Sequence, residues 1–221
     1  ALLWYRRTLE MLNRLGPSQA AQFKVLQLTA HKSLGEVLAL MGRYDEALEH
    51  YAAARALAEA ETPSAKQTRL LADLCYQTAE VHYKRGEYNT AFEWLEQGLS
   101  YLDEKEPTVE RAHIYLRGAG LYYRQGKYEE AIAWAQKSRE IAARIETLEG
   151  RRALAKAYYT LGSIYNYLGD LQQAACLCRE SVRVYQEIGD PAGQIIAYNN
   201  LALIQVDRGN LVQASAILQR N

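Results

Sequence analysis

One short phrase recurs five times along the 221-residue chain and dictates its architecture. A Gly is followed two residues later by Tyr or Leu and five residues later by Ala. It reads Gly42-Arg-Tyr44-Asp-Glu-Ala47, then Gly86-Glu-Tyr88-Asn-Thr-Ala91 and Gly126-Lys-Tyr128-Glu-Glu-Ala131. It returns as Gly169-Asp-Leu171-Gln-Gln-Ala174 and Gly209-Asn-Leu211-Val-Gln-Ala214. Successive glycines are 44, 40, 43 and 40 residues apart. A unit of that size cannot bury its own apolar face, so such units stack on their neighbours.

Each Gly suits a helix end, where the chain turns through the left-handed region. A small residue stands seven before each: Gly35, Ala79, Ala119, Gly162 and Ala202. Together with the Ala five after, it lets two antiparallel helix axes come close. The second helix carries a stripe at spacings of four and three, as in Ala47, Tyr51 and Ala54, or Ala174, Cys178 and Ser181. Ala1, Tyr5 and Thr8 repeat that stripe, so the chain is expected to open on a second helix. With the last repeat truncated partway through its second helix as well, the solenoid is expected to continue both ways. Helices are predicted over 2–15, 18–41, 44–60, 64–85, 88–103, 108–125, 128–147, 150–168, 171–188, 191–208 and 211–220, with no sheet. Thr62-Pro63 and Asp190-Pro191 read as an N-cap followed by Pro at the first helical position, with Ser18 and Thr147 as further caps.

At this point the chain resembles the tetratricopeptide repeat. Tyr158-x2-Leu161-Gly162-x2-Tyr165 followed by Ala174 carries the likeness, as does His31-x2-Leu34-Gly35-x2-Leu38 followed by Ala47-x3-Tyr51. The family's usual period is about 34 residues, shorter than the 40 to 44 here. Long repeats of this kind are similar to those of bacterial multidomain signalling ATPases and cell-polarity adaptors. The resemblance implies an all-α solenoid of about 11 helices, TPR-like and wound as a right-handed superhelix. It implies one domain, 1–221: a half repeat at 1–15, then repeats near 18–60, 64–103, 108–147, 150–188 and a truncated 191–221.

In the family, first helices line the concave face, which gives a candidate groove. Mapped from the small residue of each repeat, it comprises Tyr76, Tyr83, Lys84, Tyr123, Arg124, Tyr159, Asn166 and Asn199. Tyr offers a rigid contact area with a polar tip, and Asn pairs with a peptide backbone as donor and acceptor. Lys84 and Arg124 would favour a carboxylate on the partner. They also suit the C-terminal ends of their helices as dipole-complementing cations, and the tyrosines also suit packing between helices.

Composition narrows the function. Lys plus Arg and Asp plus Glu are both 26, so the chain lacks the cationic excess that nucleic acid or an anionic membrane demands. Cys75, Cys176 and Cys178 are odd in number and give no disulfide framework, which points to a reducing, cytoplasmic setting. The histidines at 31, 50, 82 and 113 read as lying in different repeats without ligand spacing, and Cys176 and Cys178 point apart on one helix. No catalytic residue, metal or cofactor is expected. The expected role is a non-catalytic scaffold or adaptor in signal transduction. Its partners would be a protein or peptide and the parent protein's other domains, with self-association through the truncated ends. The alternative is a ligand-sensing regulatory domain of a larger signalling or transcription-regulating ATPase.

Overall fold

The computed structural model describes residues 2–14 and 23–219. Eleven α-helices and no strand are found among the described residues. The chain divides into two compact units, 1–103 and 104–221.

The first unit holds α1 (Leu2–Asn13), α2 (Lys24–Leu40), α3 (Tyr44–Glu59), α4 (Ala65–Lys84) and α5 (Tyr88–Ser100). Each helix packs on the next, and α2 also touches α4. Leu34, Leu38, Tyr51, Leu74 and Val81 fill the core, with Ala47, Ala54 and Ala58 keeping the axes close. The second unit holds α6 (Val109–Arg124), α7 (Tyr128–Ala142), α8 (Leu148–Tyr167), α9 (Leu171–Glu187), α10 (Pro191–Asp207) and α11 (Leu211–Gln219). Its core runs from Ala112, Leu154, Val184 and Tyr185 through Leu161 and Ile164 to Leu201 and Ile204.

The repeated Gly does what its spacing requires. Gly42, Gly86, Gly126, Gly169 and Gly209 all have φ between 74° and 84°. The next amide reaches back five residues, as in Arg43 to the Leu38 carbonyl at 2.9 Å and Lys127 to that of Tyr122 at 2.9 Å. These bonds satisfy carbonyls that a helix end leaves open.

The small positions are filled tightly. A Cβ on Gly35 would stand 2.6 Å from the Tyr51 ring, and one on Gly162 would stand 2.5 Å from Cys178 Sγ. Ala79 and Ala119 are fully buried. Two stripe positions carry hydroxyls: Ser138 and Ser181 are fully buried and donate across their helix pairs to the Ala112 and Ala155 carbonyls, both at 2.8 Å.

Helix starts agree in part with the sequence reading. Asp190 caps α10, accepting from the Gly193 amide at 3.0 Å, with Pro191 in the first turn. Thr147 caps α8 through the Gly150 amide, so α7 ends at Ala142 rather than 147. Thr62 is not the cap of α4. Ser64 is, accepting from the Gln67 amide at 3.2 Å. The Gln67 side chain donates to the Ala58 and Glu61 carbonyls, which ties the new helix to the last turn of α3 and leaves 62–63 to span the gap. The proposed cap Ser18 lies outside the described residues.

Candidate partner-binding site

In the first unit, Tyr76, Tyr83 and Lys84 lie along the C-terminal half of α4. Tyr76 and Lys84 help line a cavity of about 350 Å³ together with Glu36, Ala39, Leu40, Tyr51, Gln77 and Glu80. Tyr83 turns towards the following helix and packs on Tyr88, centroids 5.7 Å apart. Lys84 is exposed in the last turn of α4, where a cation complements the helix dipole. A second cavity of about 450 Å³ lies between α2 and the start of α4, lined by Leu28, Lys32, Glu36, Gln67 and Leu70 among others.

In the second unit, Tyr123 forms part of a three-ring cluster. It meets Tyr128 edge-on at 5.8 Å and Tyr167 edge-on at 5.6 Å, and Tyr128 and Tyr167 are 5.0 Å apart. A hydrogen bond to Tyr167 raises the acidity threshold of the Tyr128 hydroxyl above its ordinary value. Tyr167 is 61% exposed, so the cluster has one open edge. Beside it, Asn166 donates Nδ2 to Asp207 at 3.0 Å, linking α8 to α10. Arg124 is exposed at the end of α6, and Asn199 is exposed on α10. Tyr159 is half-buried two turns before Tyr167, and its carbonyl accepts the Ser163 hydroxyl at 3.0 Å.

Three features escaped the sequence reading. Tyr88 and Tyr128, members of the recurring phrase, meet the first-helix tyrosines Tyr83 and Tyr123 across the turn. Their signal was the Gly-x-Tyr phrase itself. Tyr51, a stripe residue, reaches the cavity of the first unit. The third is a correction. His31 and His50 belong to the same repeat, on α2 and α3, and their Nδ1 atoms are 2.9 Å apart. Both pKa values fall below the ordinary 6.5, first through burial. For His31 the neighbouring His50 lowers it further. Among the described residues no three His, Cys, Asp or Glu side chains gather as for a metal ion. Cys75 and Cys178 are buried, their thiols pushed up to about 12 by that burial. Among the described residues no helix is long and apolar enough to cross a membrane.

Antiparallel helix pairs joined by left-handed glycines, each pair capped by the next, define an α-solenoid. The tetratricopeptide-repeat model matches residues 26–104, 110–187 and 153–220, and the chain belongs to that family. Solved structures agree on the fold. BtubC from P. vanneervenii is 21% identical with a TM-score of 0.80, over 99% of this chain and 87% of that one. A Rap protein complexed with competence and sporulation factor is 19% identical with a TM-score of 0.73. That match covers 99% of this chain and 62% of the Rap protein, so this chain spans under two thirds of it. MamA from Desulfovibrio magneticus RS-1 is 14% identical with a TM-score of 0.57, over 88% of this chain and 92% of that one. No curated protein matches the sequence.

Proposed function

We propose that the chain is a non-catalytic scaffold of a cytoplasmic signalling or adaptor assembly, binding a protein or peptide through first-helix side chains. In this reading 1–221 is a single repeat domain. The observation that carries the proposal is the tyrosine set at the ends of α4, α6 and α8. Tyr123 and Tyr167 are held by ring contacts within their own unit while Tyr167 stays largely exposed. A rigid aromatic with an open edge loses little entropy on binding, which makes it an effective anchor. The structural likeness to a Rap protein complexed with competence and sporulation factor supports a partner-binding role. Lys84, Arg124, Asn166 and Asn199 supply polar contacts around these anchors in this reading.

A peptide array probed with the full chain tests it. Tyr83→Ala, Tyr123→Ala and Tyr159→Ala should each weaken capture about fivefold or more, the loss of roughly 1 kcal/mol typical of an interface anchor. If all three variants capture the same peptides equally well, the first-helix site is wrong. The two cavities of the first unit, of about 450 and 350 Å³, favour one second reading, a ligand-sensing regulatory domain. A thermal shift with a metabolite and no array capture would select it.

A further inference from the structure

The larger cavity of the first unit, about 450 Å³, lies between α2 and the start of α4. Leu28, Ala58 and Leu70 give it an apolar wall. Leu28 and Ala58 are buried, and Leu70 is half-buried against the core of the unit. Ligand sites are mostly apolar concavities of about 300–1,000 Å³ with a few polar groups that fix orientation. The apolar wall and the volume are both of that kind, so the polar groups decide what would fit.

Most polar groups around that wall are already engaged within the protein. The Thr29 hydroxyl donates to the Val25 carbonyl at 2.8 Å. The Gln67 side chain donates to the Ala58 carbonyl at 2.9 Å and to the Glu61 carbonyl at 3.2 Å. Ser64 accepts from the Gln67 amide as the cap of α4. The charges are paired as well: Glu61 with Lys24 at 3.0 Å, Lys32 with Asp73 at 2.5 Å and Glu36 with Lys32 at 3.9 Å. What remains is one-sided. Among the described residues, the Lys66 ammonium and the Ser33 and Thr62 hydroxyls line the cavity without a partner. All three can donate a hydrogen bond, and the charge left over is positive.

We propose that this cavity binds a small aliphatic carboxylic acid, its tail against Leu28, Ala58 and Leu70 and its carboxylate at Lys66 and Ser33. The tail gains by leaving water, about 0.8 kcal/mol per buried methylene. The head gains less, because Lys66 is exposed and an exposed ion pair contributes at most about 1 kcal/mol. The tail therefore sets the affinity, and the head sets the sign of the ligand. A cationic amphiphile would meet Lys66 and find Glu36 and Glu61 already engaged with lysines. The inference rests on the ligand-sensing reading of the chain and adds the chemical class of the ligand.

The test titrates the isotope-labelled full chain with octanoate, and in parallel with octylamine, 1-octanol, acetate and N-acetyl-leucine, following backbone amide shifts. Saturable shifts with octanoate are expected, clustered at Leu28, Ser33, Lys66 and Leu70. The alcohol should bind there more weakly, and acetate and octylamine not at all. Lys66→Glu should weaken octanoate about fivefold or more and leave the alcohol unchanged, and Ser33→Ala should weaken octanoate about threefold. Melting temperatures of the variants verify that the unit stays folded. No cluster at these residues, octylamine or 1-octanol binding as tightly as octanoate, or an unchanged octanoate affinity in Lys66→Glu would overturn the assignment. Tighter binding of N-acetyl-leucine than of octanoate would make the occupant a peptide C-terminus and overturn it too. The site and the sensing reading fail separately. A melting temperature raised by another metabolite, with no octanoate shift, keeps the sensing reading and removes this site. Octanoate shifts at these residues alongside peptide capture by the array remove the sensing reading and leave this site on a scaffold.

Discussion

At the scale of single residues, the tightest constraint is the contact of Gly162 with Cys178. A methyl group at 162 would lie 2.5 Å from Sγ and 3.3 Å from the Ala174 carbonyl oxygen. The sulfur is fully buried and receives the Asn200 amide at 3.3 Å, so it has little room to retreat. Gly162→Ala should cost about 1–3 kcal/mol, the range for overpacking a close-packed core. In the Cys178→Ala background the same change should cost clearly less, because the overlapping atom is gone. Urea denaturation of the four proteins measures the coupling; strict additivity would show that the helices do not meet there. Gly86 gives the contrast. A Cβ there meets nothing within 4 Å, so only its φ of 79° resists substitution.

At the scale of the helix pair, α2 and α3 are joined by the two histidines as well as by apolar packing. At neutral pH one imidazole donates and the other accepts. Protonating the acceptor destroys the bond and puts a charge in a half-buried place. Both pKa values are lowered in the folded state, so the unfolded chain binds more protons just below the ordinary value of 6.5. Stability is then full above that value and falls as pH drops through it towards the folded pKa values. Arg6, Glu46 and Glu49 also act on His50, and its two carboxylate neighbours oppose the fall without reversing it. The melting temperature should be lower at pH 5.5 than at pH 7.5, and the drop should be smaller in His50→Gln. An equal drop in both proteins would place the titrating group elsewhere.

At the scale of the molecule, each unit has a core of its own residues. Leu34 is fully buried in that of the first and Ile164 is 1% exposed in that of the second. Leu34→Ala and Ile164→Ala should each cost about 2–5 kcal/mol. In the double variant the costs should add to within roughly 0.5 kcal/mol, because repeat stability is a sum of local and nearest-neighbour terms. Hydrogen exchange should localise the loss of protection from each single change to its own unit. Equal loss in both units from either change would mean that the chain unfolds as one block.

Much of this protein was legible without coordinates. The spacing of five glycines, the small residues seven before and five after, and the 3.6-residue stripes determined a stack of helix pairs and most of its boundaries. Those features are local: they follow from the left-handed turn and the helical period, which a sequence displays directly. The candidate residues at 76, 83, 84, 123, 124, 159, 166 and 199 were placed by the same period, which says on which face of a helix a residue stands. It does not say what stands opposite. Only tertiary structure decided that Tyr123 would meet Tyr128 and Tyr167, that His31 would meet His50, and that Ser64 rather than Thr62 would cap α4. It also decided that the ring of Tyr51, one more member of a core stripe, would end at a cavity flanked by Glu36 and Glu80. Each is a meeting of side chains from different helices, set by how far the axes approach and how each side chain turns, and neither quantity is written in the period of a single helix.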